Sequence, residues 1–255
     1  MRSRGVLVTG ASKGIGRAVA EAFAAGGDRV AVHFHADRAA AEAVLAGLPG
    51  TGHVVLGADI ADPEAARRLA DEAESSLGGV DVLVNNAGVA TSAANAHRVT
   101  EVSYADWQRA WRQNLDVNVA GTANLSYCVA RHMVARGAAG RIVNVGSRGA
   151  FRGEADHPAY GASKAALHAL GQSLALSLAP EGISVTSVAP GFTETERVAD
   201  RLAGDGGVDL RGQSPFGRVG RPAEIAAAVV YLASPDATWA SGTILDLNGA
   251  SHLRT

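Results

Sequence analysis

The 255-residue chain is short of several residue types, and each shortage narrows what it can be. Its one cysteine, Cys128, has no partner for an internal disulfide and no second thiol for a CxxC zinc or redox motif, which suits a reducing cytoplasm. Aromatic residues make up only 5% of the chain. No apolar stretch approaches the roughly 18 residues that would span a bilayer, and the longest, Ile225 to Ala233, is Ala-rich. A strand expected by Gly5 leaves no room for a signal peptide. Runs of like charge are missing, and a formal net charge of -2 gives no field of one sign to grip a nucleic acid. Lysine is the scarcest charged residue: Lys13 and Lys164 stand against 21 arginines.

What is plentiful is glycine, with 31 residues, and a hydrophobic fraction of 47%, enough for a full core. Short aliphatic runs alternate with Ala-rich segments of helical period. The runs are Gly5–Val8, Arg29–Phe34, His53–Leu56, Val80–Val84, Arg141–Val145, Ile183–Val188 and Thr243–Leu247. Seven strands with helical crossovers predict one α/β domain over 1–255, a Rossmann-like doubly wound parallel sheet with helices on both faces. Near-continuous apolar strands fit burial on both sides. Gly26-Gly27, Leu48-Pro49-Gly50 and Gly78-Gly79 should close the first three helices, while Pro63 and Pro222 sit near first-turn positions. The least regular stretch, 193–221, is expected to be a lid over the substrate.

Chemistry concentrates at the carboxyl ends of the expected strands. After the first strand comes Thr9-Gly10-Ala11-Ser12-Lys13-Gly14-Ile15-Gly16, opening a helix whose N-terminal amides can face a pyrophosphate. The fourth strand leads into Asn85-Asn86-Ala87-Gly88 and the fifth into Asn144-Val145-Gly146-Ser147. Tyr160-Gly161-Ala162-Ser163-Lys164 follows, and after the sixth strand comes Pro190-Gly191-Phe192-Thr193-Glu194-Thr195. Tyr160 and Lys164, four apart on a helix, share a face. A phenol with a reference pKa near 10 is a poor acid or base at neutral pH. Lowering it to about 7 or 8 takes roughly 3 to 4 kcal/mol, within reach of a nearby ammonium and a bound nicotinamide cation.

These motifs, in this order and over nearly the whole chain, resemble the short-chain dehydrogenase/reductase family. The resemblance implies that Tyr160 passes the proton, that Lys164 activates it and holds the ribose, and that Ser147 orients the substrate oxygen. It also implies a helix asparagine that anchors a water relay to the lysine; Asn118, in Asn-Val-Ala-Gly, fits better than Asn114, which then reads as a helix-surface or interface amide. No metal is required. The family's cofactor-binding positions fall here on Gly10, Ser12, Lys13, Gly14, Ile15 and Gly16; on Asp59 and Ile60 after the third strand; on Asn86, Ala87 and Gly88; and on Pro190, Gly191, Thr193 and Thr195. Thr193 departs from the aliphatic residue usual there. The second strand ends in Phe34-His35 where an NAD-type acid would stand, and Lys13, Arg38 and His35 make a phosphate clamp. NADP(H) is therefore preferred, and NAD(H) stays open through Asp37.

The expected activity is hydride transfer between a nicotinamide and a carbonyl or secondary alcohol. An NAD-dependent dehydrogenase of a sugar, a steroid or another secondary alcohol is the alternative, and a non-catalytic nucleotide-sensing protein is the alternative of another class. The partners expected are a small-molecule substrate and further copies of the chain, with neither nucleic acid nor membrane. In the helix from Pro158 to Ala179, Leu167, Leu170, Leu174 and Leu178 should face the sheet, while Ala162, Ala165, Ala166, Ala169 and Leu176 form a second apolar side that predicts a homodimer or homotetramer. His157 reads as structural or substrate-lining, and Trp107, Trp111 and Tyr127 read as packing residues. Arg148 and Arg152 leave two readings open, an anion site and a solvated face, of which the solvated face is the plainer.

Overall fold

The computed structural model describes residues 3–196, 198–204 and 206–254. Its strands are β1 (Gly5–Val8), β2 (Arg29–Phe34), β3 (Val54–Gly57), β4 (Val82–Asn85), β5 (Arg141–Val145), β6 (Ser184–Pro190) and β7 (Ile244–Leu247). All pair in parallel, in the order β3-β2-β1-β4-β5-β6-β7. The helices are α1 (Gly14–Ala25), α2 (Arg38–Gly47), α3 (Pro63–Leu77), α4 (Tyr104–Leu115), α5 (Thr122–Ala135), α6 (Gly149–Arg152), α7 (Pro158–Leu178), α8 (Ala199–Ala203), α9 (Gly206–Gly212) and α10 (Pro222–Leu232). This is the Rossmann-like doubly wound sheet that the sequence predicts.

Strand periodicity divides the core in two. Val6, Val8, Val30, Val32, Val82 and Val84 pack on one face against Val19 and Phe23 of α1 and Ile225 and Val229 of α10. The residues between them, Leu7, Ala31 and Leu83, meet Leu69 and Leu77 of α3 and Leu125, Val129 and Met133 of α5 on the other. The ends of α3 show how the sequence sets a helix boundary. Asp62 caps α3 by accepting from the Glu64 amide at 2.9 Å with Pro63 in the first turn, and Gly78 closes the helix at φ 60°.

Three expectations need correction. β6 runs on through Pro190, which pairs in register with Leu247, so the Pro190-Gly191 motif begins inside the strand. The stretch 193–221 carries α8 and α9. In α7, Leu174 and Leu178 pack half-buried against the core as expected, but Leu170 is only half-buried and the deepest face is Lys164, Leu167, His168, Gly171 and Ala175. Small residues win there because the helix lies close. A Cβ on Gly171 would stand 2.8 Å from Asn144 Nδ2 and 2.9 Å from Ser187 Oγ.

β1 and β4 are neighbours although three helices and two strands lie between them in the chain. From β1 the chain winds outward one way to β3, then returns and winds the other way from β4. That reversal opens a crevice beyond the carboxyl ends of β1 and β4, where ligands bind in sheets of this kind.

Candidate active site

The crevice is an open cleft of ≈ 760 Å³, within the usual range for a small-molecule site. Gly10, Ser12, Lys13, Gly14 and Ile15 line it, with His35, Asp59, Ile60, Asn86, Ala87, Gly88 and Thr195. Gly10 and Gly14 hold φ of 62° and 58°, a left-handed region that costs other residues strain. The loop is anchored from both sides. His33 Nδ1 accepts the Gly10 N–H at 3.1 Å, while its Nε2–H donates to Ala58 O at 3.1 Å; burial pushes this imidazole down to about 4, so the neutral ring serves as a fixed strut. From the β4 side, Asn86 Nδ2 donates to the carbonyls of Thr9 and Gly10, and Thr9 Oγ1 accepts from the amides of Asn86 and Ala87.

The cleft fits a dinucleotide cofactor. The first turn of α1 presents backbone donors, and the backbone can be approached closely at Gly10, Gly14 and Gly88. The Lys13 ammonium and the Asp59 carboxylate supply the two polar ends. Asp37 also lines it, capping α2 through the Ala40 amide and pairing with Lys13 at 3.3 Å; the Ala40 bond and then Lys13 hold its carboxyl below the ordinary range.

Next to this cleft lies a buried polar group. Lys164 is 5% exposed, donates from Nζ to Val145 O at 2.9 Å, and has Nζ 5.9 Å from the centroid of the Tyr160 ring. Among the described residues no carboxylate pairs with it, and burial pushes its ammonium down to about 8. A Cβ on Gly88 would lie 3.4 Å from Lys164 Nζ and 2.9 Å from Asn118 Oδ1, so lysine and asparagine flank the same glycine. Asn118 sits in a π-helical stretch, Asp116–Gly121, and is fully engaged: Oδ1 accepts the Val89 amide at 2.8 Å, and Nδ2 donates to Ser163 Oγ at 2.8 Å and Asn114 Oδ1 at 3.2 Å. Ser163 Oγ in turn donates to Tyr160 O. Ser147 stands at the end of β5, its Oγ accepting the Gly149 amide at 3.0 Å.

Several expected residues stand elsewhere. Arg38 is not part of the cleft wall: exposed, it pairs with Glu42 and lies over the Phe34 ring. Gly16 sits beneath the loop, where a Cβ would come within 2.3 Å of Gly10 O. Pro190, Gly191 and Thr193 also lie outside the cleft wall. Gly191 packs on Asn248, and Thr193 Oγ1 donates to Gly191 O. Asn114 is buried against Asn118, not a surface amide, and Arg148 is 5% exposed, not solvated. His157 holds the carbonyl of Ser92, and Trp107 and Trp111 pack on each other, as expected; Tyr127, expected to pack, is instead largely exposed.

Two contributors escaped the sequence reading. His33 was visible only as a polar residue inside an apolar strand. Glu196 reaches back from the 193–221 stretch to accept the Gly14 amide at 3.1 Å and pair with Arg17 at 2.9 Å, a contact across some 180 residues that no local pattern announces.

Comparison with known proteins gives this arrangement its kin. A family profile described as Enoyl-(Acyl carrier protein) reductase matches residues 10–252. The chain is 37% identical over 248 residues to cis-4-hydroxycyclohexanecarboxylate dehydrogenase of Sinomonas cyclohexanicum, covering 96% of this chain and 95% of that one. It is 34% identical over 247 residues to the 3-oxoacyl-[acyl-carrier-protein] reductase of Escherichia coli, covering 97% and 96%. A crystal structure of a short-chain dehydrogenase from Burkholderia cenocepacia in complex with NADP superposes with a TM-score of 0.86 at 35% identity over 97% of each chain. With its sheet order, its glycine loop and these relatives along nearly its full length, the chain belongs to the short-chain dehydrogenase/reductase family of oxidoreductases.

Proposed function

We propose that this protein is an NADP(H)-dependent oxidoreductase, a single domain that interconverts a carbonyl compound and a secondary alcohol with Tyr160 as the general acid or base. The observation that carries the reading is the buried Lys164 ammonium beside the Tyr160 ring, with no carboxylate paired to it among the described residues. A positive charge held in a low-dielectric site favours the phenolate over the phenol far more than the same charge in water. In reduction the Tyr160 hydroxyl gives its proton to the substrate oxygen, and in oxidation the phenolate takes it back. Ser147 Oγ holds that oxygen, and the Val145 carbonyl fixes the lysine so that its charge stays beside the ring. Asn118, pinned by Val89, Ser163 and Asn114, fixes the π-helical stretch from which the relay to Lys164 starts. A bound nicotinamide supplies or accepts the hydride.

Lys13 in the cleft wall favours a 2′-phosphate, in line with the NADP held by the Burkholderia relative. Asp37 favours the second reading, an NAD-dependent dehydrogenase, because its carboxylate lines the same cleft. Lys13 neutralises it at 3.3 Å, which keeps NADP(H) ahead. The outer face of α7, with Ala162, Ala165, Ala169 and Leu176 exposed, is proposed as a two-fold interface in a homodimer or homotetramer, and the reducing cytoplasm as the site of action.

Tyr160→Phe tests the core of this reading. Turnover of NADPH with a panel of ketones and aldehydes should fall by about 10² or more, while NADPH affinity, measured by fluorescence titration, stays within about threefold. A variant that keeps more than a tenth of kcat would remove Tyr160 from the mechanism.

A further inference from the structure

A second cavity of ≈ 320 Å³ lies beyond the carboxyl ends of β6 and β7, and its wall includes neither Ser147, Tyr160 nor the glycine loop. Arg148, the residue after Ser147, enters it almost wholly buried. Arginine keeps its charge under all ordinary conditions, so burying it without an opposite charge carries a large desolvation penalty. Here neutral oxygens receive it. Nη1 donates to Ser251 Oγ, Nη2 donates to Gln213 Oε1, and the guanidinium lies 4.9 Å from the centroid of the Phe192 ring. A second cation crowds the same oxygen, because Arg152 Nη1 donates to Gln213 Oε1 at 3.0 Å. Among the described residues no carboxylate forms an ion pair with Arg148. Burial, reinforced by the Arg152 charge and partly offset by Glu154, pushes its guanidinium below its ordinary range. Of the acids of the wall, Glu224 pairs with Arg218 at 2.7 Å and Asp246 pairs through Oδ2 with Arg254 at 2.7 Å, while Asp246 Oδ1 is buried without a hydrogen bond and makes no ion pair with Arg148 among the described residues. Apolar side chains, among them Leu210, Phe216 and Ile225, complete the wall.

From this juxtaposition we propose that Arg148, with Gln213 and Ser251, is a binding seat for the carboxylate of a small organic acid whose apolar body fills the cavity. A planar guanidinium matches a carboxylate through two parallel hydrogen bonds, and Gln213 is the neutral placeholder that such an anion replaces. The acid can come from two sources, the substrate's own remote carboxylate or a separate metabolite acting beside the catalytic centre. The first source rests on the oxidoreductase reading above; the seat itself does not.

The test is calorimetric titration of the full chain with benzoate and with benzamide, its neutral counterpart, in a buffer free of carboxylate and phosphate. Wild type should bind benzoate at least about tenfold more tightly than benzamide, the discrimination expected of a charged hydrogen bond. Arg148→Gln should abolish the difference while NADPH binding persists. Gln213→Glu supplies the anion from within the chain: it should raise Tm and erase benzoate binding, a result that does not depend on Arg148→Gln folding. Equal binding of the two probes by wild type, or benzoate preference surviving either substitution, overturns the seat. Benzoate is then tested as an inhibitor of NADPH-dependent ketone reduction. Competition with the ketone assigns the seat to substrate, and a noncompetitive pattern assigns it to a separate acid. If no ketone or aldehyde of the panel supports NADPH oxidation while benzoate discrimination holds, the oxidoreductase reading fails and the seat stands.

Discussion

At the scale of single residues, Lys164 sets function against stability. Its burial pushes the ammonium from the ordinary 10.5 to about 8, so at neutral pH the folded protein carries a charge it would be more stable without. A displacement of that size is worth roughly 3 kcal/mol, reduced by the hydrogen bond that Val145 O receives. Lys164→Met should therefore raise unfolding stability by about 1–2 kcal/mol at pH 7 while ending turnover, a trade common at active sites. The pH dependence has a definite sign. Between about pH 8 and 10.5 the unfolded chain holds a proton at this lysine that the folded chain has lost, so wild-type stability gains on the variant as pH rises and the gap closes. Urea melts of both proteins at pH 7 and pH 10 read this directly, and a gap that widens with pH refutes it. The closeness of Tyr160 and Lys164 was legible in sequence because one helical turn joins them. The burial of Arg148 was not, since it is made by Gln213 and Ser251, far along the chain, and residue type alone favours exposure.

At the scale of elements, strands read to within a residue or two because their burial on both faces leaves short runs that are mostly apolar, as in β2 and β5, broken only by His33 and Asn144. Boundaries moved where backbone pairing outlasts the apolar run, as at Pro190. The 193–221 stretch read as irregular because its glycines break every period, yet α8 forms before Gly204 and α9 takes Gly206, Gly207 and Gly212 into a short helix that needs support from the surrounding fold. The β1–α1 unit makes a sharper prediction. Gly16 lets the helix lie on its own loop, and a methyl group there would meet Gly10 O at 2.3 Å. Gly16→Ala should displace α1 from the cleft, lowering stability by about 1–3 kcal/mol and weakening NADPH binding by tenfold or more. Unchanged affinity in a fluorescence titration would show that the loop absorbs the methyl group elsewhere.

For the whole molecule, two surfaces are more apolar than a free monomer needs. One is the outer face of α7, where Leu176 is 82% exposed among alanines. The other borders β7, an edge strand with Leu245 on it and Trp239 almost fully exposed just before it. Two separate isologous contacts of this kind combine naturally into a tetramer of two-fold symmetry. Leu176→Arg should halve the mass measured by light scattering at micromolar concentration, and a mass unaffected by the charge would exclude the α7 contact. The outward face of α7 could be picked out from sequence, because its residues are too small and apolar for a wet surface. The β7 border could not, because edge position depends on strand order.

The scarcity of lysine has a chemical corollary in the folded protein. Of the two side-chain amines, Lys164 is shielded in the core and Lys13 stands half-exposed in the wall of the cleft. A dye, resin or crosslinker aimed at lysine therefore has one side chain to find, and it lies in the wall of the cleft proposed for the nucleotide. For this protein, coupling to a side-chain amine is in effect an affinity label, and the arginine-rich faces elsewhere leave the reagent no other side chain to modify.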